Sequence, residues 1–391
     1  MIPYGRHHLD ESDIQAVVDC LRSNFLTQGP KVAEFEEAVA LAVGAKFAVA
    51  VASGTAALHL ATLAVGAGSH SSLVTSPITF VASANAALYV GAKPLFVDID
   101  PDTVNLSSTA LAKTLEENPN VTIVIPVHYA GLPCDMVEIK ALADKTGAIV
   151  IEDAAHALGS HYPDGSPVGC CAHSLMTIFS FHPVKSITTG EGGMITTNDE
   201  EMYRKLLRLR SHGINKGEDT FLHSESAHTD GVPNPWYYEM FSLGFHYRIT
   251  DIQSSLGLSQ LKKLERFIER RRYLAMRYDQ AFKNSNWIQP AQKTGRELSA
   301  HHLYPVRIDF SAAGISRAAF MKELRQKGII TQVHYIPVTT HPYYRQLGFN
   351  IKDYPHAKAY YQATLSIPLF YDLTEQQQDK VIETLEGLIN Q

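Results

Sequence analysis

Residues 121–153 read VTIVIPVHYAGLPCDMVEIKALADKTGAIVIED. The stretch opens on an apolar run, VTIVIPV, and closes on another, AIVIED, with the amphipathic segment MVEIKALADKTG (136–147) between them. Runs that are apolar throughout, rather than alternating, belong to parallel strands covered on both faces. A helix joining two such strands makes a right-handed crossover within one sheet. The same rhythm extends outward. Upstream, Phe47-Ala-Val-Ala-Val-Ala, SLVTS (72–76) and PLFVDI (94–99) read as strands. Helices are expected over Thr55 to Val65, from about Thr79 to Gly91, and over SSTALAKTLEEN (107–118). Downstream, MTIFSF (176–181) and GGMITTN (192–198) read as two more strands around a tight glycine turn. The fold class is α/β, with a mostly parallel sheet between helices.

The stretch from Ser211 to Tyr247 breaks this rhythm with Gly213, Gly217, Gly231, Pro233, Pro235 and Gly244. It reads as a long excursion, and such loops in compact domains are often functional. Asp251 to Asn284 then reads as one long helix, and the domain junction is placed in it. The expected division is a large domain over 1–250 and a smaller C-terminal α/β domain over 251–391. In the smaller domain HHLYPVRIDF (301–310) and IITQVHY (329–335) read as strands, SRAAFMKELRQKG (316–328) as a helix, and a closing helix starts at Thr374.

Composition narrows the function. At about 150 residues per domain, 391 residues predict two or three domains. With 45% hydrophobic and 19% charged residues, a substantial core is expected and wholesale disorder is not. Lys plus Arg number 34 against 40 Asp plus Glu, a net charge of −6, which offers no broad basic surface to nucleic acid or an anionic membrane. The opening MIPYGRHHLD lacks the order of a signal peptide, and the longest apolar stretch, Phe47 to Gly68, is too broken to span a bilayer. A cytoplasmic protein is expected. Cys20, Cys134, Cys170 and Cys171 form no C-x-x-C pair, so neither a disulfide framework nor a zinc site is indicated, and no metal is expected.

Three motifs carry chemistry. Ser53-Gly54-Thr55 stands where a strand gives way to a helix, an entrance that suits a phosphate; an ordinary helix cap has the same residues. Ile149-Val-Ile-Glu152-Asp153 delivers a carboxylate to the C-terminal end of a strand, where ligands bind in open α/β sheets. Asp153 also suits an N-cap for AAHALG, with His156 one helical turn on. Phe179-Ser180-Phe181-His182-Pro183-Val184-Lys185, followed by Gly190, Gly192 and Gly193, sets a hydroxyl at a strand end, then a lysine on a turn, then glycines that admit a ligand. A lysine, an aspartate and a small-residue phosphate cradle are the set that pyridoxal phosphate requires.

SGTAAL (53–58), EDAAHALGS (152–160), FSFHPVKSITTGEGG (179–193) and GFHYRITDIQSSLGLSQL (244–261) together resemble the DegT/DnrJ/EryC1/StrS family of sugar-nucleotide aminotransferases. The resemblance runs from SNFLTQGPKVAEFEEAVA (23–40) to VHYIPVTTHPYYRQLGF (333–349), nearly the whole chain. TSPITFVASANAALYVGAKPLFVDID (75–100), HYAGLPCDM (128–136) and QVHYIPV (332–338) resemble its pseudaminic-acid branch. The resemblance implies an aspartate-aminotransferase-like fold (fold type I) and pyridoxal 5'-phosphate as cofactor. It implies that Lys185 is the Schiff-base lysine and Asp153 the partner of the pyridine nitrogen. Ser53, Gly54, Thr55 and Ser180 match the phosphate contacts, Phe80 the aromatic residue on the ring, and His156 the position beside it. Tyr4, the segment Asn24, Phe25, Leu26 and Thr27, and the pair His334 and Tyr335 resemble stretches that meet the sugar nucleotide. His246 stands where the family has an asparagine that reaches the cofactor phosphate of a neighbouring subunit.

The activity implied is amino transfer from L-glutamate to the 4-keto position of a UDP-linked 2-acetamido-2,6-dideoxy sugar, in a homodimer with shared active sites. Aminotransferases for other nucleotide-linked 4-keto or 3-keto deoxysugars share the pattern. Related sugar dehydratases carry histidine where this chain has Lys185, and a non-catalytic sugar-nucleotide-binding homologue has no need of Lys185, Asp153 and Ser180 together.

Overall fold

Seven short, mostly apolar segments pair into one sheet. The chain is described here by a computed structural model covering residues 1–217 and 220–389. The strands are β1 (Phe47–Val51), β2 (Ser72–Thr75), β3 (Lys93–Phe96), β4 (Val121–Ile125), β5 (Ile149–Asp153), β6 (Met176–Ser180) and β7 (Gly193–Thr197). Their order is β1-β7-β6-β5-β4-β2-β3. The pairs from β6 to β3 are parallel, and β7 alone runs against its neighbours β1 and β6.

Period-2 alternation sends side chains to two cores. On one face Val49, Val51, Ile123 and Ile151 pack with Leu60, Ala86 and Leu206 from the helices Gly54–Ala64, Val81–Tyr89 and Glu200–Arg210. On the other Ala48, Ala50, Val124 and Val150 meet Phe35, Val39, Leu111 and Ile139 from the helices Pro30–Val43, Ser108–Glu117 and Met136–Thr146. Each such aliphatic or aromatic side chain removed from water contributes about 1.5–3 kcal/mol. Because β1, β5 and β6 point the same way, Ser53, Asp153 and Ser180 arrive at the same edge of the sheet.

Three expectations are corrected. The long helix is two, Asp251–Leu261 and Leu264–Phe282. The break at Lys262 and Lys263 coincides with a pull on Lys263, whose ammonium lies 2.5 Å from Oδ1 of Asp10, the cap of the helix Glu11–Arg22, and 2.8 Å from Oδ2 of Asp13 within it. Residues 154–159 turn instead of forming a helix; Ala157 N–H bonds Ala154 C=O, and Gly159 takes a left-handed φ of 90°. The segment 329–335 is no continuous strand: Ile329 makes an isolated parallel bridge to Ile2, whose N–H donates to Gly328 C=O and whose C=O accepts the Ile330 N–H. Only Gln332 reaches the C-terminal sheet, through a bridge to Ser366.

That sheet is antiparallel, Ile288–Pro290 beside Tyr304–Ile308 beside Thr364–Ile367. Leu274, Tyr278 and Phe282 cover it together with Phe320, Leu324, Val381 and Ile2, so the first residues of the chain pack against its last third. Between Ser211 and Tyr247 the described residues form only two-residue ribbons, 214–215 with 239–240 and 228–229 with 232–233, and a four-residue helix. Among the described residues no helix is long and apolar enough to cross a membrane, and no group of three or more His, Cys, Asp or Glu is placed to hold a metal ion.

Candidate active site

A cavity of about 420 Å³ opens at the sheet edge where β1, β5 and β6 end. Ser53, Gly54, Thr55, Phe80, Asp153, His156, Ser180, Lys185, Tyr4, His334 and Tyr335 all line it. At one end Ser53 caps the helix Gly54–Ala64, its Oγ accepting the Ala56 N–H at 3.1 Å. The amides of Gly54 and Thr55 belong to the first turn and have no partner within their helix. Two glycines let the backbone close here. A Cβ on Gly54 would stand 3.0 Å from Ser180 Cβ, and one on Gly193 would stand 2.5 Å from the carbonyl carbon of Ser53. Free amides, a helix N-terminus and the Ser180 hydroxyl make a cradle that fits a phosphate.

At the end of β5 the buried Asp153 is held at both oxygens. Ser83 Oγ donates to Oδ2 at 2.6 Å, and Ala155 N–H donates to Oδ1 at 3.1 Å. Lys185 follows β6 on a turn closed by its N–H to the His182 carbonyl at 2.9 Å. Burial pulls its ammonium from the usual 10.5 down to about 8, and the negative charge of Asp153 opposes the shift. The result is an amine that sheds its proton close to neutral pH, fit for nucleophile and base. Phosphate cradle, carboxylate and amine thus line one cavity, and this donor set suits pyridoxal phosphate.

The far wall is built from rings. His156 Nδ1 accepts the Ala130 N–H at 3.3 Å, so the neutral imidazole carries its proton on Nε2. Nε2 lies 3.0 Å from Tyr335 Oη, which therefore accepts from His156 and keeps its own proton to donate elsewhere. Burial first, and the Lys185 charge second, hold His156 well below its ordinary value. His334, bonded through Nδ1 to Ser366 Oγ at 2.9 Å, is driven down to about 3 by burial and by Lys185. Tyr4 stands beside it with ring centroids 5.3 Å apart, and the exposed Phe80 faces Tyr335 at 6.2 Å. The wall is uncharged at neutral pH.

Not every residue singled out in the sequence comes to this cavity. His246 is exposed and lies outside the lining; its backbone bridges to Ser211 and its ring lies 5.5 Å from that of His212. Asn24, Phe25, Leu26 and Thr27 are exposed on the surface, where the Leu26 carbonyl accepts the Asp251 N–H at 3.0 Å. Three residues were missed. His302 is buried in the wall with its ring centroid 4.4 Å from that of His156, and Thr79 and Ser83 stand behind Asp153. Thr79 lies just before the N-cap Phe80 and its hydroxyl reaches Ser83 in the helix's first turn, a local contact within four residues. For His302 there was no signal, since it reads as one strand residue among ten.

Residues 7–386 match the DegT/DnrJ/EryC1/StrS aminotransferase family. The chain is 40% identical to the spore coat polysaccharide biosynthesis protein SpsC of Bacillus subtilis, over 99% of this chain and 97% of that protein. Among solved structures it is similar to Helicobacter pylori PseC, an aminotransferase of pseudaminic acid biosynthesis, with a TM-score of 0.90, 32% identity, and coverage of 100% of this chain and 99% of the other. Spr1654 of Streptococcus pneumoniae, solved in its PMP form, superimposes with a TM-score of 0.89 at 31% identity, again over 100% and 99%. A lysine and a carboxylate facing one phosphate cradle, in a chain matched almost end to end, leave one assignment: it belongs to the DegT/DnrJ/EryC1/StrS aminotransferase family and is a pyridoxal-phosphate-dependent aminotransferase.

Proposed function

We propose that the protein transfers the amino group of L-glutamate to the 4-keto carbon of a UDP-linked 2-acetamido-2,6-dideoxy-hexos-4-ulose. The product is UDP-4-amino-4,6-dideoxy-N-acetyl-β-L-altrosamine, a precursor of pseudaminic acid. The observation that carries this is the whole-length likeness to PseC, together with the cavity that joins Lys185 to Asp153.

The chain's own groups divide the work. Ser53, Gly54, Thr55 and Ser180 hold a phosphate, and Asp153 holds a proton on a ring nitrogen by its negative charge. When bound, pyridoxal phosphate supplies an aldehyde that takes up the amino group and a ring that accepts an electron pair. Lys185 Nζ removes the proton from the α-carbon of the amino donor and returns it later, which an amine titrating at about 8 can do in both directions. Tyr335, its oxygen occupied by His156, donates its proton to an oxygen of the substrate.

The active form is read as a cytoplasmic homodimer with shared sites, each chain divided near the break at Lys262. Trp236, Leu222 and Leu243 of the excursion are all more than 70% exposed, which supports a partner covering them. His246 and the segment Asn24 to Thr27, off their own cavity, are read as contributions to the neighbour's.

A second reading, amination of another nucleotide-linked keto sugar, is favoured by the 40% identity to a protein of spore coat polysaccharide biosynthesis. Incubation with UDP-N-acetylglucosamine, a 4,6-dehydratase that also inverts C5, and glutamate, followed by NMR of the product, separates the two. A new C4–N bond with the L-altro configuration supports the first reading. Amination of a different keto sugar, with none of this one, supports the second.

A further inference from the structure

Ser83 lies in the helix Val81–Tyr89 and Asp153 at the end of β5, 70 residues away in sequence. Their side chains meet at 2.6 Å in a place where Ser83 is 0% and Asp153 5% exposed. An ionised carboxylate only accepts, so the proton between them is the serine's. With that proton spent, Ser83 Oγ can only accept from its other neighbour, and the Thr79 hydroxyl at 2.8 Å is its donor. The chain of bonds therefore has one direction, Thr79 to Ser83 to Asp153 Oδ2. The competing acceptor for Ser83, the Phe80 carbonyl at 3.4 Å, is much the longer contact. Ala155 N–H takes Oδ1 from the opposite side, so two donors from different parts of the fold fix the plane of one carboxylate.

Thr79 lines the cavity and Ser83 does not, so Ser83 reaches a ligand only through Asp153. We propose that Ser83 is a positioning residue that aims the free lone pairs of Asp153 at the cofactor's ring nitrogen. The inference rests on the pyridoxal-phosphate assignment and adds the residue that orients its carboxylate. Charge-assisted O–H···O⁻ bonds of this length are strong and directional, and a buried carboxylate that loses one is free to turn.

The test compares two probes that differ at one ring atom. Pyridoxal phosphate carries the nitrogen; its 1-deaza analogue carries C–H there and keeps the aldehyde and phosphate. Dissociation constants for both are measured on the apo form of the full chain and of Ser83→Ala, with circular dichroism to verify the fold. Removing the serine proton should weaken pyridoxal phosphate roughly tenfold. The analogue, which offers Asp153 nothing to hold, should stay within about twofold. Equal losses for both probes, or no loss for either, would overturn the proposal, since Ser83 would then serve only packing or nothing. If the unsubstituted chain took up neither probe, the cofactor assignment itself would fall, and the proposal with it.

Discussion

Lys185 is an ammonium that burial has made easy to discharge. Its folded value of about 8 lies below the 10.5 of an unburied lysine, so the folded chain loses this proton first. Between those two values the unfolded chain binds the extra proton, and the group's contribution to stability rises with pH across that window. The reactive free amine should follow the folded value. Capture of pyridoxal phosphate by the apo chain, followed by stopped-flow absorbance, is expected to accelerate as pH climbs through about 8 and to level off above it. A midpoint near 10.5 would show an ordinary, solvated lysine. On the proposed role of Asp153 as a charge beside the ring nitrogen, Asp153→Asn should keep the phosphate cradle while lowering kcat by about 10²-fold. Near-normal turnover would remove Asp153 from the chemistry.

At the scale of elements, the site depends on how closely β7 approaches the turn after β1. Gly193 is the first residue of β7, and a side chain there meets the Ser53 carbonyl carbon and oxygen at 2.5 Å and the Gly54 nitrogen at 2.8 Å. All three are backbone atoms that no rotamer change can move aside. Gly193→Ala is therefore expected to cost about 1–3 kcal/mol in urea unfolding and to weaken cofactor binding in parallel. Unchanged affinity would mean that the cradle tolerates the shift. The strand ends were legible because each is a short apolar run closing on a small polar residue. The place of β7 between β6 and β1 was not, since nothing in GGMITTN marks β1 as its second partner.

Across the whole molecule, the excursion from 211 to 247 leaves Trp236 and Leu243 uncovered while Asn215 and Glu239 within it are buried. Large apolar side chains left uncovered on a partly buried segment support the proposed second copy of the chain. Light scattering at assay concentration is expected to give twice the chain mass. Trp236→Ser combined with Leu243→Asp should shift the population toward monomer and reduce activity with it. A fully active monomer would refute the shared-site reading.

The sequence by itself determined the alternation of buried strands and helices, and it placed Ser53, Asp153 and Ser180 at strand ends and Lys185 on the turn that follows. Both are local: periodicity is a property of neighbours in the chain, and parallel strands bring their C-terminal ends to one edge whatever their order. Tertiary structure alone decided the rest. Ser83 meets Asp153 across 70 residues, Tyr335 meets His156 across 179, and Ile2 at the start of the chain pairs with Gly328 and Ile330 near its end. Such contacts depend on which segments pack together, and a donor or an edge carries no mark of its partner until the chain has closed around it.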